Sequence, residues 1–379
     1  MSRIKERKLN LSKFRDLIIF PFFECNLKCK HCFVSKPSGP IGFLKSPPDA
    51  FNPHIEPDMV ARVEDWGVKI VTFLGGEPFL SSALPELLNI VADKSNAKIC
   101  IYTNATLLVK DEERVFTHPS ILEVLDYLVV SIEGDEFWTR RIRGKVFEKC
   151  MRVLDKAREF TSTVARMSYW DEAVCLSCGR SQSITNRCIF CGSTDVKNQP
   201  MDVLNMAKKL NEEDIPVEVA PRIGTPPLKA DFAKNFYALL GALPKADNEL
   251  PSFKNYFGID VTCPAGWLRL VMYPDGSLGG CQWSWEKFAH VNWDDDEIIR
   301  AANLWVERHG RIREECFGCE RAKICRSSCK QAMDYKECPV RMRRKGDIIV
   351  RIGEEYVRLN KNVMLGKLKK LRNVAPGVC

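Results

Sequence analysis

Six short apolar runs, most followed by a segment of helical periodicity, constrain the fold of this chain more than any other feature. The runs at 18–23, 70–76, 98–104, 127–134, 162–169 and 217–224 read as strands buried on both faces. Between them, EPDMVARVEDWG (56–67), LPELLNIVADK (84–94), HPSILEVLD (118–126), FEKCMRVLDKAREF (147–160) and PMDVLNMAKKLNEED (200–214) space apolar residues at i, i+3 and i+4, as helices do. This alternation predicts an α/β fold: a parallel sheet curled into a full or partial barrel, with functional groups at the C-terminal ends of the strands. No apolar run is long enough to span a bilayer, and the short apolar start leads into cysteines without a small-residue cleavage site. The expectation is therefore a cytoplasmic protein with no membrane partner. A net charge of +8, spread among 49 acidic residues, reads as a solvated surface and argues against a nucleic-acid partner.

Cysteine departs from the ordinary. The 379-residue chain has 17, and they group as 25/29/32, 175/178/188/191 and 263/281/316/319/325/329/338, with Cys100, Cys150 and Cys379 left over. A chain of this length has core enough without disulfides, so the grouping predicts reduced, metal-binding cysteines. Cys100 and Cys150 read as buried structural residues. The first group, ECNLKCKHCF (24–33), directly follows the first strand and is one thiolate short of a closed site. It is either part of a dispersed zinc site or a cluster left open at one corner. The second group, CLSCGRSQSITNRCIFCG (175–192), falls between the fifth strand and its helix as two CxxCG knuckles. Four sulfurs at this spacing suit tetrahedral zinc, and also a single iron.

The spacing of Cys25, Cys29 and Cys32 after a first strand resembles the hallmark loop of the radical S-adenosylmethionine (SAM) superfamily. Further motifs resemble that family's in order: GGEP (75–78), TNA (103–105) where the family has TNG, SIEG (131–134) where it has SxDG, and RIRG (141–144). The resemblance implies a partial (β/α)6 barrel of the TIM type, with a [4Fe-4S] cluster on the three cysteines and one iron open to SAM. It implies that His31, at a usually aromatic position, lies by the adenine, and that Gly75, Gly76 and Glu77 engage the methionine ammonium. By the same resemblance Asn104 sits beside the cofactor, and Ser131 and Arg143 bind the methionine carboxylate, work suited to a hydroxyl and a bidentate guanidinium. The implied chemistry is reductive cleavage of SAM to methionine and a 5′-deoxyadenosyl radical that abstracts hydrogen from a substrate.

The third cysteine group resembles the SPASM domain of radical SAM enzymes, which carries two auxiliary [4Fe-4S] clusters. The pattern places Cys263, Cys281 and Cys329 on the first and Cys316, Cys319, Cys325 and Cys338 on the second, which makes three clusters in the chain. The first set lacks a fourth thiolate, which leaves either a substrate thiolate or a remote ligand such as Cys379 or solvent. Gln282 stands where sulfatase-maturing members have an aspartate base; an amide cannot take that proton, so formylglycine chemistry is disfavoured. Trp283 and Trp285 read as pocket lining or as core. The expected layout is a radical SAM partial barrel over 1–240 with a zinc-ribbon insertion at 171–198, a connecting segment at 241–262, the SPASM domain at 263–345 and a basic tail at 346–379.

Together these resemblances imply a maturase-type oxidoreductase that modifies a peptide or protein substrate and draws electrons from a ferredoxin or flavodoxin type donor. Two other readings stay open: the same chemistry on a small molecule, lipid, tetrapyrrole or metallocofactor precursor, and a non-catalytic iron–sulfur electron carrier or adaptor. A carrier has no need of Ser131, Arg143 or the GGEP turn. The ribbon is either a structural staple or a docking knob with Arg180 and Arg187 exposed.

Overall fold

Alternation of apolar runs and helical segments becomes strand and helix in turn. The structure, a computed structural model, describes residues 14–35, 39, 54–109, 119–221, 239–240, 242–247, 265–266, 268–309, 347–352 and 355–360. The first five runs form β1 (Asp16–Ile19), β2 (Ile70–Phe73), β3 (Lys98–Thr103), β4 (Tyr127–Ile132) and β5 (Ser162–Tyr169). Three short strands follow, β6 (Ala173–Cys175), β7 (Ser181–Gln182) and β8 (Val196–Asn198), before the sixth run forms β9 (Val217–Pro221) and a bridge-like β10 (Ala246–Asp247) adds to it. Several strands stop before their apolar run does, because the final residues, Gly75 and Gly76 or Glu133 and Gly134, already turn into loops.

The helices are α1 (Pro57–Ala61), α2 (Val63–Trp66), α3 (Leu84–Lys94), α4 (Pro119–Val124), α5 (Glu136–Arg143), α6 (Phe147–Lys156) and α7 (Gln199–Glu212). The segment 56–67 is thus two helices rather than one. In α3, a proline in the first turn starts the helix and Leu84, Leu87, Leu88 and Val91 form the buried stripe. The short helix α5 was not anticipated: its periodic face is only Trp138, Thr139 and Ile142, amid arginines. Its start is fixed by Asp135, whose Oδ1 accepts from the Trp138 backbone N–H at 3.1 Å.

The main sheet continues past Cys263, into the segment expected as the SPASM domain. β11 (Arg269–Met272) lies parallel to β1, with Asp16 opposite Arg269, and β12 (Ser277–Gly279) and β13 (Lys287–His290) extend it antiparallel. The ten strands run β10-β9-β5-β4-β3-β2-β1-β11-β12-β13, and this order does not return on itself among the described residues. A helix, α8 (Asp295–His309), follows, and the tail contains the hairpin β14 (Asp347–Ile352) with β15 (Glu355–Asn360). Among the described residues, no helix is long and apolar enough to cross a membrane.

The sheet's two faces differ. On the helix side Leu17, Ile19, Val71, Phe73, Ile101, Leu128 and Val130 join the main core with the apolar stripes of the helices. Each such side chain contributes about 1.5–3 kcal/mol by burial. On the other face, Ile18, Phe20, Val271 and Tyr273 pack a small second cluster, while Thr72, Tyr102, Ser131, Arg166 and Glu218 line a cavity. The expectation of strands apolar on both faces therefore holds at the β1–β11 end and gives way to polar residues in the middle. Cys100 and Cys150 are buried.

Candidate functional site

A cavity of about 220 Å³ opens above the C-terminal ends of β1 to β5. Cys25, Cys29, His31 and Cys32 line it from the loop after β1. Gly75 and Gly76 line it after β2, Asn104 after β3, Ser131 at the end of β4, and Arg143 from the last turn of α5. Residues distant in sequence thus converge because every parallel strand delivers its following loop to the same edge of the sheet.

The cysteine loop is held against the GGEP turn by backbone contact. A Cβ on Gly76 would lie 1.7 Å from the carbonyl oxygen of Glu24, so only glycine lets the two loops meet. The Glu77 N–H donates to that same carbonyl at 2.7 Å. The Glu77 carboxylate does not line the cavity. It is buried behind it, accepting from Thr103 Oγ1 at 2.7 Å and from the Asn104 N–H at 2.8 Å, and it ties the β2 loop to the β3 loop. Burial pushes it up to about 7, against these donors. Asn104 in turn donates to Asn26 Oδ1 at 2.8 Å and approaches Cys25 Sγ at 3.7 Å. Ala105, where the family's motif has glycine, sits at φ 64°, in the left-handed region.

Glu133, inside the SIEG motif, was not singled out from the sequence. Its fully buried carboxylate receives Arg143 Nη2 at 2.6 Å and Nε at 2.7 Å, His31 Nε2 at 3.0 Å, and the Ser168 N–H at 3.2 Å. Burial alone would raise its pKa; the charges of His31 and Arg143 outweigh that and hold it down at about 2. Arg143 Nη1 also reaches 3.8 Å from Cys29 Sγ. Burial pushes the Cys25 thiol up to about 12 and raises Cys29, with Arg143 opposing the rise at Cys29.

Beyond the cysteine loop, the cavity wall is polar and paired. Arg166 meets Glu218 at 2.6 Å, Tyr102 Oη donates to Glu218 at 2.8 Å, and Arg269 Nε donates to Asp16 at 2.5 Å. Gln282 and Trp283 close this side, Gln282 Oε1 accepting from Arg269 Nη1 at 3.4 Å. Cys281, partly exposed, is therefore next in sequence to the cavity wall. Of the two tryptophans, Trp283 lines the cavity and Trp285 packs among Phe20, Phe23 and Phe33. Cys263, Cys316, Cys319, Cys325, Cys329, Cys338 and Cys379 lie outside the described residues.

The second cysteine group forms a separate three-stranded sheet in the order β7-β6-β8, inserted between β5 and α7. Its two knuckles match: Gly179 N–H donates to Cys175 O at 2.8 Å and Gly192 N–H to Cys188 O at 2.9 Å, with both glycines at positive φ. Among the described residues, Cys175, Cys178, Cys188 and Cys191 are the one group whose ligand atoms all lie within 4.8 Å of one another. Burial pushes the Cys188 thiol up, but the N–H groups of Cys191 and Phe190 outweigh it and hold the thiol down at about 6, while Cys191 rises to about 12. Four sulfurs gathered this closely fit a tetrahedral ion. Cys25, Cys29 and Cys32 are not gathered as tightly, which suits three corners of a cluster better than the shell of one ion. Arg180 and Arg187 are exposed, Arg180 over the Phe190 ring and Arg187 donating to Gly192 O at 2.7 Å.

Residues 19–171 match the family model described as Radical SAM superfamily. Among curated proteins, the chain is similar to the S-adenosylmethionine-dependent nucleotide dehydratase of Thermoplasmatales archaeon (strain ISO4-H5), 26% identical over 173 residues, covering 42% of this chain and 56% of that protein. The chain spans about half the length of the curated relatives it matches. Among solved structures it is similar to native anSMEcpe with bound AdoMet, with a TM-score of 0.60 and 16% identity over 96% of this chain and 100% of that one. It is also similar to Streptococcus suis SuiB bound to S-adenosylmethionine, with a TM-score of 0.55 and 18% identity over 84% of this chain and 72% of that one. At these identities the structural likeness is one of fold. Motifs met in order at successive strand ends, the cavity they share and the match across these residues assign residues 19–171 to the Radical SAM superfamily.

Proposed function

We propose that this chain is a radical SAM enzyme of the SPASM type that modifies a peptide or protein. The observation that carries the reading is the convergence of Cys25, Cys29, Cys32, Gly75, Gly76, Asn104, Ser131 and Arg143 on one cavity. A [4Fe-4S] cluster on the three cysteines would supply one electron for reductive cleavage of SAM, and with it hydrogen abstraction from the substrate. The chain's own residues bind and orient. The backbone of Gly75 and Gly76 is the part of GGEP that faces the cavity and would meet the methionine ammonium, while Glu77 braces it from behind. Ser131 and Arg143 would take the methionine carboxylate; Glu133 holds the guanidinium ready for it and fixes His31 beside Cys32. The aromatic cluster of Phe20, Phe23, Phe33 and Trp285 keeps water from one flank.

Support for a peptide or protein substrate is the fold shared with SuiB, solved with the precursor peptide SuiA, and with anSMEcpe, solved with the Cp18Cys peptide. Cys281, flanking the cavity through Gln282 and Trp283, would belong to the first auxiliary cluster, and a ferredoxin or flavodoxin type protein would supply electrons. A second reading, the same chemistry on a small polar molecule, is favoured by the paired Arg166, Glu218, Tyr102 and Arg269 on the cavity wall and by the nucleotide dehydratase among the relatives. The four-cysteine ribbon would hold zinc, and the domains would follow the layout read from the sequence, with β11, inside the expected SPASM segment, joining the parallel sheet.

Anaerobic reconstitution tests this. About twelve irons and about one zinc per chain are expected, with 5′-deoxyadenosine formed on reduction in the presence of SAM. A reconstituted, reduced protein that keeps its iron yet forms no 5′-deoxyadenosine would rule the catalytic reading out.

A further inference from the structure

A chain of contacts outside the cavity links the four-cysteine ribbon to the cysteine loop. Glu172, immediately before β6, is its hub. Its Oε1 accepts from Arg141 Nη2 at 3.1 Å and from Ser181 Oγ at 3.1 Å, and its Oε2 accepts from Trp170 Nε1 at 2.6 Å. Ser181 Oγ, on β7, also accepts from Arg141 Nη2 at 2.7 Å. Arg141 lies on α5, two residues from Arg143. The Trp170 ring stacks on His31, with centroids 6.3 Å apart and planes at 23°, and meets Trp138 of α5 edge-on at 6.2 Å.

The ribbon's other edge grips the same helix. Lys197 of β8 bonds Asp135, the N-cap of α5, and lies 3.5 Å from Asp202 of α7, which accepts from Trp138 Nε1 at 2.8 Å. Both edge strands of the ribbon therefore hold α5, the helix that ends in Arg143, and the ribbon's root holds His31. Strands of two and three residues have almost no core of their own to keep this geometry. Between the two knuckles run the Ser177–Ser193 hydroxyl contact at 2.8 Å and the Leu176 N–H bond to Asp195 O at 2.9 Å, and at their centre the cysteine sulfurs meet, with Cys175 to Cys191 and Cys178 to Cys188 each at 3.6 Å.

We infer that zinc bound by Cys175, Cys178, Cys188 and Cys191 positions α5 and the Trp170–His31 stack, so that filling of the ribbon sets the affinity of the cavity for SAM. Trp170, Glu172 and Arg141 are positioning residues in this arrangement, and none of them lines the cavity. Metal in the ribbon pins the β6–β7 hairpin, Ser181 and Glu172 then hold Arg141, and the last turn of α5 presents Arg143 to the ligand. The inference rests on the SAM-binding reading above.

The test uses the anaerobically reconstituted full chain, with iron and zinc measured, SAM affinity read by equilibrium dialysis, and the SAM-induced change in the electron paramagnetic resonance spectrum of the reduced protein. The double variant Cys178→Ser, Cys191→Ser is expected to lose zinc, keep its iron and bind SAM about tenfold more weakly. Arg141→Gln is expected to keep zinc and weaken SAM binding in the same direction. Trp170→Ala weakens it too, whereas Trp170→Phe, which keeps a ring over His31, restores most of the affinity and the spectral change. Parent-like SAM affinity in the zinc-free protein overturns the inference. If that double variant does not hold its iron, Arg141→Gln and the Trp170 pair decide: parent-like binding in zinc-replete Arg141→Gln and Trp170→Ala overturns it. A parent protein that binds no SAM sinks the proposed function instead.

Discussion

The cysteine loop and the four-cysteine insertion gather their thiols in opposite ways. The ribbon is closed and local: two matching knuckles within 175–192 bring four sulfurs within 4.8 Å of one another. The loop after β1 brings three, and most of what positions them comes from elsewhere: Gly76 and Glu77 from β2's loop, Asn104 from β3's, Glu133 after β4 and Arg143 from α5. A closed site can be written into eighteen consecutive residues. An open one, which must keep a coordination position for a ligand, depends on the whole sheet for its walls.

Separating the two sites gives the largest expected effect. Cys29→Ala should lower 5′-deoxyadenosine formation by about a thousandfold, roughly 4 kcal/mol of barrier, while zinc stays at about one per chain. Cys188→Ser should do the reverse to the metals, removing zinc and sparing iron. Metal analysis that finds both lost in either variant would break the comparison.

Glu133 and Glu172 sharpen it, because each pairs with an arginine of α5 but at different depth. Glu133→Gln leaves Arg143 buried without its counter-charge and should cost about 3–5 kcal/mol in denaturant unfolding. Glu172→Gln, at the partly exposed Arg141 pair, should cost at most about 1 kcal/mol. Equal costs would mean that the cavity's ion pair is no more buried than the ribbon's. The low Glu133 value also sets a sign: its stabilisation is complete above the ordinary 4.5 and is lost as pH falls toward 2.

Glu77 has the opposite sign and a somewhat smaller effect. Its folded-state value of about 7 against 4.5 means that the folded chain holds a proton the unfolded chain has released, so stability falls as pH rises from 4.5 through 7. The change is about 3 kcal/mol. Unfolding midpoints from pH 5 to 8 should show the slope in the parent and a flatter profile in Glu77→Gln. An unchanged slope in that variant would place the titrating group elsewhere.

Much of this arrangement was legible beforehand. Six of the main sheet's ten strands and the order of GGEP, TNA, SIEG and RIRG could be read from local pattern, as could the paired knuckles at 175–192. What stayed hidden depends on contacts between distant segments. RLVM lies inside the expected SPASM segment, and nothing near it announces that β11 lies parallel to β1. Glu133 lay inside a motif already noticed, yet no spacing indicates that its carboxylate meets His31. Glu77 showed the converse: the resemblance sends its carboxylate to the methionine ammonium, and the fold turns it toward Thr103 and Asn104.

By itself, the sequence determined six of the sheet's strands, most of the helices between them, and which cysteines lie together within one loop or one insertion. These are local matters, set by side-chain periodicity and by the reach of a few residues of backbone. Only the tertiary structure decided that the open face of the sheet is polar, that Glu133 joins the cysteine loop to α5, and that the ribbon leans on the same helix. Parallel strands deliver loops far apart in sequence to one edge, and buried charges are tolerable only where a partner from another loop meets them.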